Sequence, residues 1–118
     1  MKRLKAVLGT GAAALAATAS LLAGAGTAHA DTVDGCEDGN VCIYSEGIDS
    51  HTITNKYFYY GTYNLSNQYN YHWVLNNQTG NAKVTFCYGY NGTNCQSPEG
   101  WGWKWRDLTP INSIILSA

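Results

Sequence analysis

Residues Asn76 to Cys95 set a turn, a strand and a cysteine-closed loop end to end, an order that suits a small β domain and little else. Asn76 to Asn81 is a polar cluster with a single glycine, the composition of a turn. Val84 and Phe86 alternate with Lys83 and Thr85, which predicts a half-buried strand with one apolar and one polar face. Cys87 and Cys95 then bracket a loop holding two glycines and two asparagines. A segment of that kind stands out from a sheet only where its ends are tied, and the two cysteines supply a tie.

The chain begins with the basic stretch Met1-Lys2-Arg3-Leu4-Lys5, followed by an Ala/Leu/Gly-rich run to about Gly24 and by Ala28-His29-Ala30. This layout predicts a secretory signal peptide over residues 1–30, cut after Ala30, with Ala23-Gly24-Ala25 as a weaker site. The expected mature chain, residues 31–118, is short enough for one core and therefore one domain. It carries Lys56, Lys83, Lys104 and Arg106 against Asp31, Asp34, Glu37, Asp38, Glu46, Asp49, Glu99 and Asp107, a net charge of −4. With no basic patch, neither nucleic acid nor an anionic membrane surface is an expected partner.

All four cysteines follow the cleavage site, where export implies oxidation. Three pairings are possible. Cys36–Cys42 and Cys87–Cys95 are expected, because each pair is close in sequence and spans Gly/Asn/Asp-rich residues. Neither spacing is Cys-x-x-Cys, which argues against zinc.

Along the mature chain, Val41-Cys42-Ile43-Tyr44 reads as the first strand. Tyr57 to Tyr63 reads as a strand with aromatic residues on both faces, broken by Asn64-Leu65-Ser66-Asn67-Gln68. Tyr69, Tyr71, Trp73 and Leu75 share a face opposite Asn70, His72 and Val74. Trp101, Trp103 and Trp105 alternate with Gly102, Lys104 and Arg106; the glycines beside Trp101 suggest that it turns away while Trp103 and Trp105 point inward. Asp107 to Pro110 reads as a turn or a short capped helical turn, and Ile111 to Leu116 as the closing strand. No window supports a long amphipathic helix.

Sliding the chain by 43 residues lays Val41-Cys42-Ile43 on Val84-Thr85-Phe86, and Asn64-Leu65-Ser66 on Asp107-Leu108-Thr109. That weak repeat suggests two four-stranded units packed as two Greek keys. The leader, the acidic Cys36 arm running into Val41-Cys42-Ile43-Tyr44, the two-unit plan and the ending Leu108-Thr109-Pro110-Ile111-Asn112-Ser113-Ile114 resemble the small secreted metalloproteinase inhibitors of streptomycetes. The resemblance implies a βγ-crystallin-like, all-β, disulfide-stabilised fold and an extracellular protease as partner. The pattern departs from the crystallin type at Asp49 and His51, where an aromatic residue and a glycine are usual. Asn76-Asn77-Gln78-Thr79-Gly80 begins like its calcium-binding run and leaves it at Gly80, so no calcium site and no cofactor is expected.

His51 and His72 sit in no nucleophile or metal-ligand motif, so catalysis is not expected. Asn64-Leu65-Ser66, Asn77-Gln78-Thr79 and Asn91-Gly92-Thr93 match the N-glycosylation pattern but read as turns. Nine Tyr, four Trp and two Phe are more than a core this small absorbs, so several are expected at the surface as anchors. The candidate inhibitory contact is Tyr88, Gly89, Tyr90, Asn91 and Gly92, in a monomeric inhibitor. The competing readings are a carbohydrate- or cell-wall-binding module stacking sugars on Trp101, Trp103 and Trp105, and a structural or toxin-like crystallin relative.

Overall fold

The computed structural model describes residues 31–118; the expected leader and its cleavage site lie outside the described residues. Among the described residues seven strands follow one another: β1 Val41–Glu46, β2 Ile53–Tyr57, β3 Gly61–Asn64, β4 Tyr71–Asn76, β5 Lys83–Cys87, β6 Gly102–Asp107 and β7 Ser113–Ser117. Every pairing is antiparallel. One sheet has the order β2-β1-β4-β6, the other β3-β7-β5. The described residues are all-β, and their two disulfides are Cys36–Cys42 and Cys87–Cys95. Among the described residues no helix is long and apolar enough to cross a membrane.

Alternation assigns the faces. Val41 and Ile43 of β1, Val74 of β4, Val84 and Phe86 of β5, and Ile114 and Leu116 of β7 are fully or almost fully buried in one cluster between the sheets. Leu65 and Leu108 join that cluster from the two turns that the 43-residue shift superposes. Their backbones are held reciprocally: Leu65 N–H donates to Asn112 O at 2.9 Å, and Leu108 N–H donates to Asn70 O at 3.0 Å. Each half of the chain also lends one strand to the other's sheet, β3 lying beside β7 and β6 beside β4.

The other face of the four-stranded sheet is partly covered as well. Cys42, Tyr44 and Leu75 pack there with Cys36 of the N-terminal arm, with Val33, Ile53 and Trp73 around them. The Cys36–Cys42 bridge holds the arm down on this face.

Two expectations fail. The Tyr57 to Tyr63 segment is not one strand: β2 ends at Tyr57, β3 starts at Gly61 in the opposite sheet, and Phe58, Tyr59 and Tyr60 project from the crossover, 56–75 % exposed. Aromatic residues at both parities gave no sign of this break. Trp103 and Trp105 do not point inward: in register they face Leu75 and Trp73, which places them on the outer face of the four-stranded sheet.

The turn after β4 is more than polar surface, because Asn76, Asn77 and Gln78 are all buried. Asn77 Nδ2 donates to Cys36 O at 2.9 Å and Asp31 O at 3.0 Å, while its Oδ1 accepts from Trp101 Nε1 at 3.0 Å. Asn76 Nδ2 donates to Ala82 O and Glu99 O, and its Oδ1 accepts from Gln78 N. Gln78 Nε2 reaches Lys83 O at 3.1 Å. Replacing Asn77 by Ala leaves these main-chain and indole groups without their partner, so urea denaturation should show a loss of about 1–3 kcal/mol, the cost of a buried polar group left unmatched. An unchanged midpoint would mean that water replaces the amide at no cost.

Candidate functional site

The Cys87–Cys95 loop leaves the end of β5 and returns on itself as a narrow hairpin. Tyr88 N–H donates to Asn94 O and Gly89 N–H to Thr93 O, both at 2.9 Å, and the Cα atoms of the two cysteines are 3.9 Å apart. Residues Tyr90–Gly92 form a single tight turn in which Asn91 has φ 58°. Gly89 is required by close approach, since a Cβ there would lie 2.0 Å from Thr93 Oγ1 and 3.1 Å from Thr93 O. Gly92 is required by its φ of +73°.

The tip is not free. Asn64 of β3 exchanges two hydrogen bonds with Asn91, its Oδ1 accepting from the main-chain N–H at 2.8 Å and its Nδ2 donating to Asn91 Oδ1 at 3.1 Å. Ser113 Oγ accepts from Gly92 N and donates to Gly89 O at 2.6 Å, and Asn112 Nδ2 donates to Tyr88 O at 2.7 Å. The loop is thus bound at its base by a disulfide and at its tip by side chains of β3 and β7. Onto this frame Tyr88 and Tyr90 are mounted 48 % and 55 % exposed. Gln96 Nε2 donates to the Tyr88 hydroxyl at 2.8 Å, which orients that ring.

All five candidate residues Tyr88, Gly89, Tyr90, Asn91 and Gly92 lie together in this hairpin. The residues that pin it, Asn64, Asn112 and Ser113, were not among those expected; the internal repeat touches Asn64 alone, and nothing local in the sequence marks the other two.

The outer face of the four-stranded sheet is a second concentration of aromatic side chains. Tyr71 lies 5.4 Å from Trp105, Trp105 lies 5.0 Å from Trp73, and Trp73 lies 5.8 Å from Trp103, measured between ring centroids. Tyr44 packs under Trp103 at 5.3 Å. Trp101 stands apart from this row, its indole N–H committed to Asn77.

His51 and His72 have different settings. His51 is exposed, with Nδ1 2.9 Å from Asp34 Oδ2. His72 is buried, its ring nitrogens facing Tyr44 O at 2.6 Å and Tyr69 O at 2.8 Å, so it fastens β4 to β1 and to the preceding turn. Among the described residues no three His, Cys, Asp or Glu side chains gather where they could hold a metal ion. Comparison with protein-family models, with curated proteins and with solved structures gives no match.

The phenol of Tyr44 is electrostatically perturbed. Burial, reinforced by the nearby Asp34 carboxylate, pushes its pKa up to about 12 from the ordinary 10.0. Its hydroxyl donates to Asp34 O at 2.8 Å. The unfolded chain ionises this group near pH 10 while the folded chain keeps it neutral, so the stabilisation is complete below about pH 10 and is lost as pH rises through 12. Urea midpoints measured from pH 8 to 12 should therefore fall most steeply above 10. Tyr44→Phe should lose about 1 kcal/mol at pH 8 with the hydrogen bond and show a shallower alkaline decline. Burial raises Tyr57 too, and that contribution should remain. An identical alkaline slope in the variant would assign the effect to other groups.

Proposed function

We propose that the protein is a secreted proteinase inhibitor, directed at extracellular metalloproteases, that engages its target with the Cys87–Cys95 hairpin. The observation that carries this reading is the restraint on that hairpin: a disulfide and Asn112 at the base, main-chain bonds between its arms, and Asn64 and Ser113 holding the tip. A segment already fixed in one shape loses little conformational entropy on association. Tyr88 and Tyr90 add contact area while giving up only two side-chain torsions each.

The strand exchange supports a βγ-crystallin-like arrangement of two Greek keys, the fold that the sequence resemblance implies. β1, β2 and β4 share one sheet while β3 crosses to the other, a swapped order that fits such an arrangement. The second unit is abbreviated: β5 and β7 pair and β6 crosses over, while the remaining strand is reduced to a bridge between Val84 and Glu99. Both disulfides suit an oxidising, extracellular setting.

The test is inhibition of a panel of extracellular metallo- and serine proteases by the purified protein. Replacing Tyr88 and Tyr90 together by Ala should weaken inhibition at least tenfold, about 1.4 kcal/mol, with the melting temperature nearly unchanged. Full inhibition by that variant would move the contact elsewhere, first to the exposed Phe58, Tyr59 and Tyr60. No inhibition of any protease by the unaltered protein would overturn the reading.

A further inference from the structure

Between the N-terminal arm and the loop joining β1 to β2 lies a cleft of about 290 Å³, lined by Asp34, Ile48, Ser50, His51, Trp73 and Trp103. It opens on the outer face of the four-stranded sheet, whereas the Cys87–Cys95 hairpin is held by strands of the other sheet.

Each wall is held in place by a specific contact. Val33 and Cys36 pair across a two-residue turn in which Asp34 and Gly35 have φ of 46° and 79°, the conformation that Asp-Gly favours. The Cys36–Cys42 bridge ties that turn to β1, and the buried Tyr44 hydroxyl donates to Asp34 O. On the opposite side, Trp73 Nε1 donates to Ile48 O at 2.9 Å, fastening the loop to the sheet. The planes of Trp73 and Trp103 meet at 78°. They form a corner, and the Asp34 carboxylate stands near it.

The ligand class follows from which polar groups are already committed. Ser50 Oγ is bonded to Ser45 Oγ and to Thr52 N, Asp34 and His51 are bonded to each other, and the Trp73 N–H is spent on Ile48. A sugar would bring many hydroxyls and find only Asp34 Oδ1, His51 Nε2 and the Trp103 N–H left to meet them, and leaving the rest unmatched is costly. A flat stacking platform is missing too, since the row Tyr71, Trp105, Trp73 and Trp103 is tilted ring against ring by 30°, 45° and 78°. A quaternary ammonium group asks for no hydrogen bond; it needs aromatic faces and negative charge. The cleft supplies both, in a domain whose described residues carry a net charge of −4.

We propose that this cleft binds a trimethylammonium head group, with Trp73 and Trp103 as walls and Asp34 as counter-charge. This site does not depend on the inhibitor reading. The head group occurs on choline, on choline lipids and on trimethylated lysine, and the chemistry is common to all three.

Calorimetric titration of the purified protein with choline tests it, against 3,3-dimethylbutanol as the uncharged carbon isostere and against cellobiose and chitobiose. Choline should bind saturably and at least tenfold more tightly than the isostere. Asp34→Asn should weaken choline at least fivefold with the isostere unchanged, and Trp103→Leu should abolish binding. Trp101→Phe and the double Tyr88/Tyr90 variant should bind as the unaltered protein does. Near-UV circular dichroism on Asp34→Asn, a substitution in the surface arm, separates lost binding from lost folding. Tighter binding of phosphatidylcholine vesicles than of free choline assigns a lipid source, and tighter binding of a trimethyl-lysine peptide assigns a protein source. Equal affinity for the isostere, binding of the disaccharides without choline, or no saturable response to choline would each overturn the proposal.

Discussion

The buried amides of Asn76, Asn77 and Gln78 are the point through which most of this structure is connected. A small domain has little apolar area to hold its termini and loops, so peripheral segments need directional bonds to stay in place. Asn77 alone reaches the N-terminal arm through Asp31 and Cys36 and the entry to β6 through Trp101. Its main chain adds two more ties to the arm, donating to Asn40 O and accepting from Gly39 N. Asn76 and Gln78 gather Ala82, Lys83 and Glu99 from the following segments. Inside a protein such bonds are strong because water does not compete, and they are unforgiving for the same reason. The Cys36–Cys42 bridge then acts on an arm that the amides also hold.

That division of labour explains why the exposed aromatic side chains sit on stiff supports. Tyr88 and Tyr90 ride on a hairpin bonded to two strands, and the row from Tyr71 to Trp103 rides on the pleat of a four-stranded sheet. Phe58, Tyr59 and Tyr60 are mounted differently, on a crossover where Tyr63 Oη donates to Tyr59 O and Phe58 packs edge-on against Tyr59. Side chains with few torsions on a fixed backbone expose apolar surface without the entropy that a mobile loop would have to surrender on contact.

Much of the architecture was legible from the order of residues. Alternation located the strands around Val41, Trp73, Val84 and Trp103, and the short cysteine separations pointed to the pairing that the structure contains. The 43-residue shift marked Leu65 and Leu108, which prove to be equivalent core residues with reciprocal backbone bonds. What stayed hidden did so for physical reasons. A run such as Tyr57-Phe58-Tyr59-Tyr60 is aromatic at both parities, so periodicity cannot report where the chain changes sheet. Asn-Asn-Gln has the composition of an exposed turn, and only tertiary packing turns it into a buried junction. The inward expectation for Trp103 and Trp105 rested on the strand period and the glycines beside Trp101, and neither tells which face of a sheet is the inner one. Here the outer face is itself half covered, by the disulfide-held arm and by the indoles' own mutual packing. In the candidate hairpin the glycines and tyrosines were visible, but Asn64, Asn112 and Ser113 come from distant positions and carry no local pattern.

The exchange of β3 and β6 between the sheets means that neither half of the chain is a module. Severed in the turn between Asn76 and Lys83, the chain would yield two fragments that each own an orphan strand. β3 would lack β7, and β6 would lack β4. Such fragments complement one another, because each exposes the hydrogen-bonding edge that the other's strand fits. Two intact chains brought close while partly open could trade halves along the same edges, so the geometry that welds the two halves into one cooperative unit also provides a route to an intertwined pair.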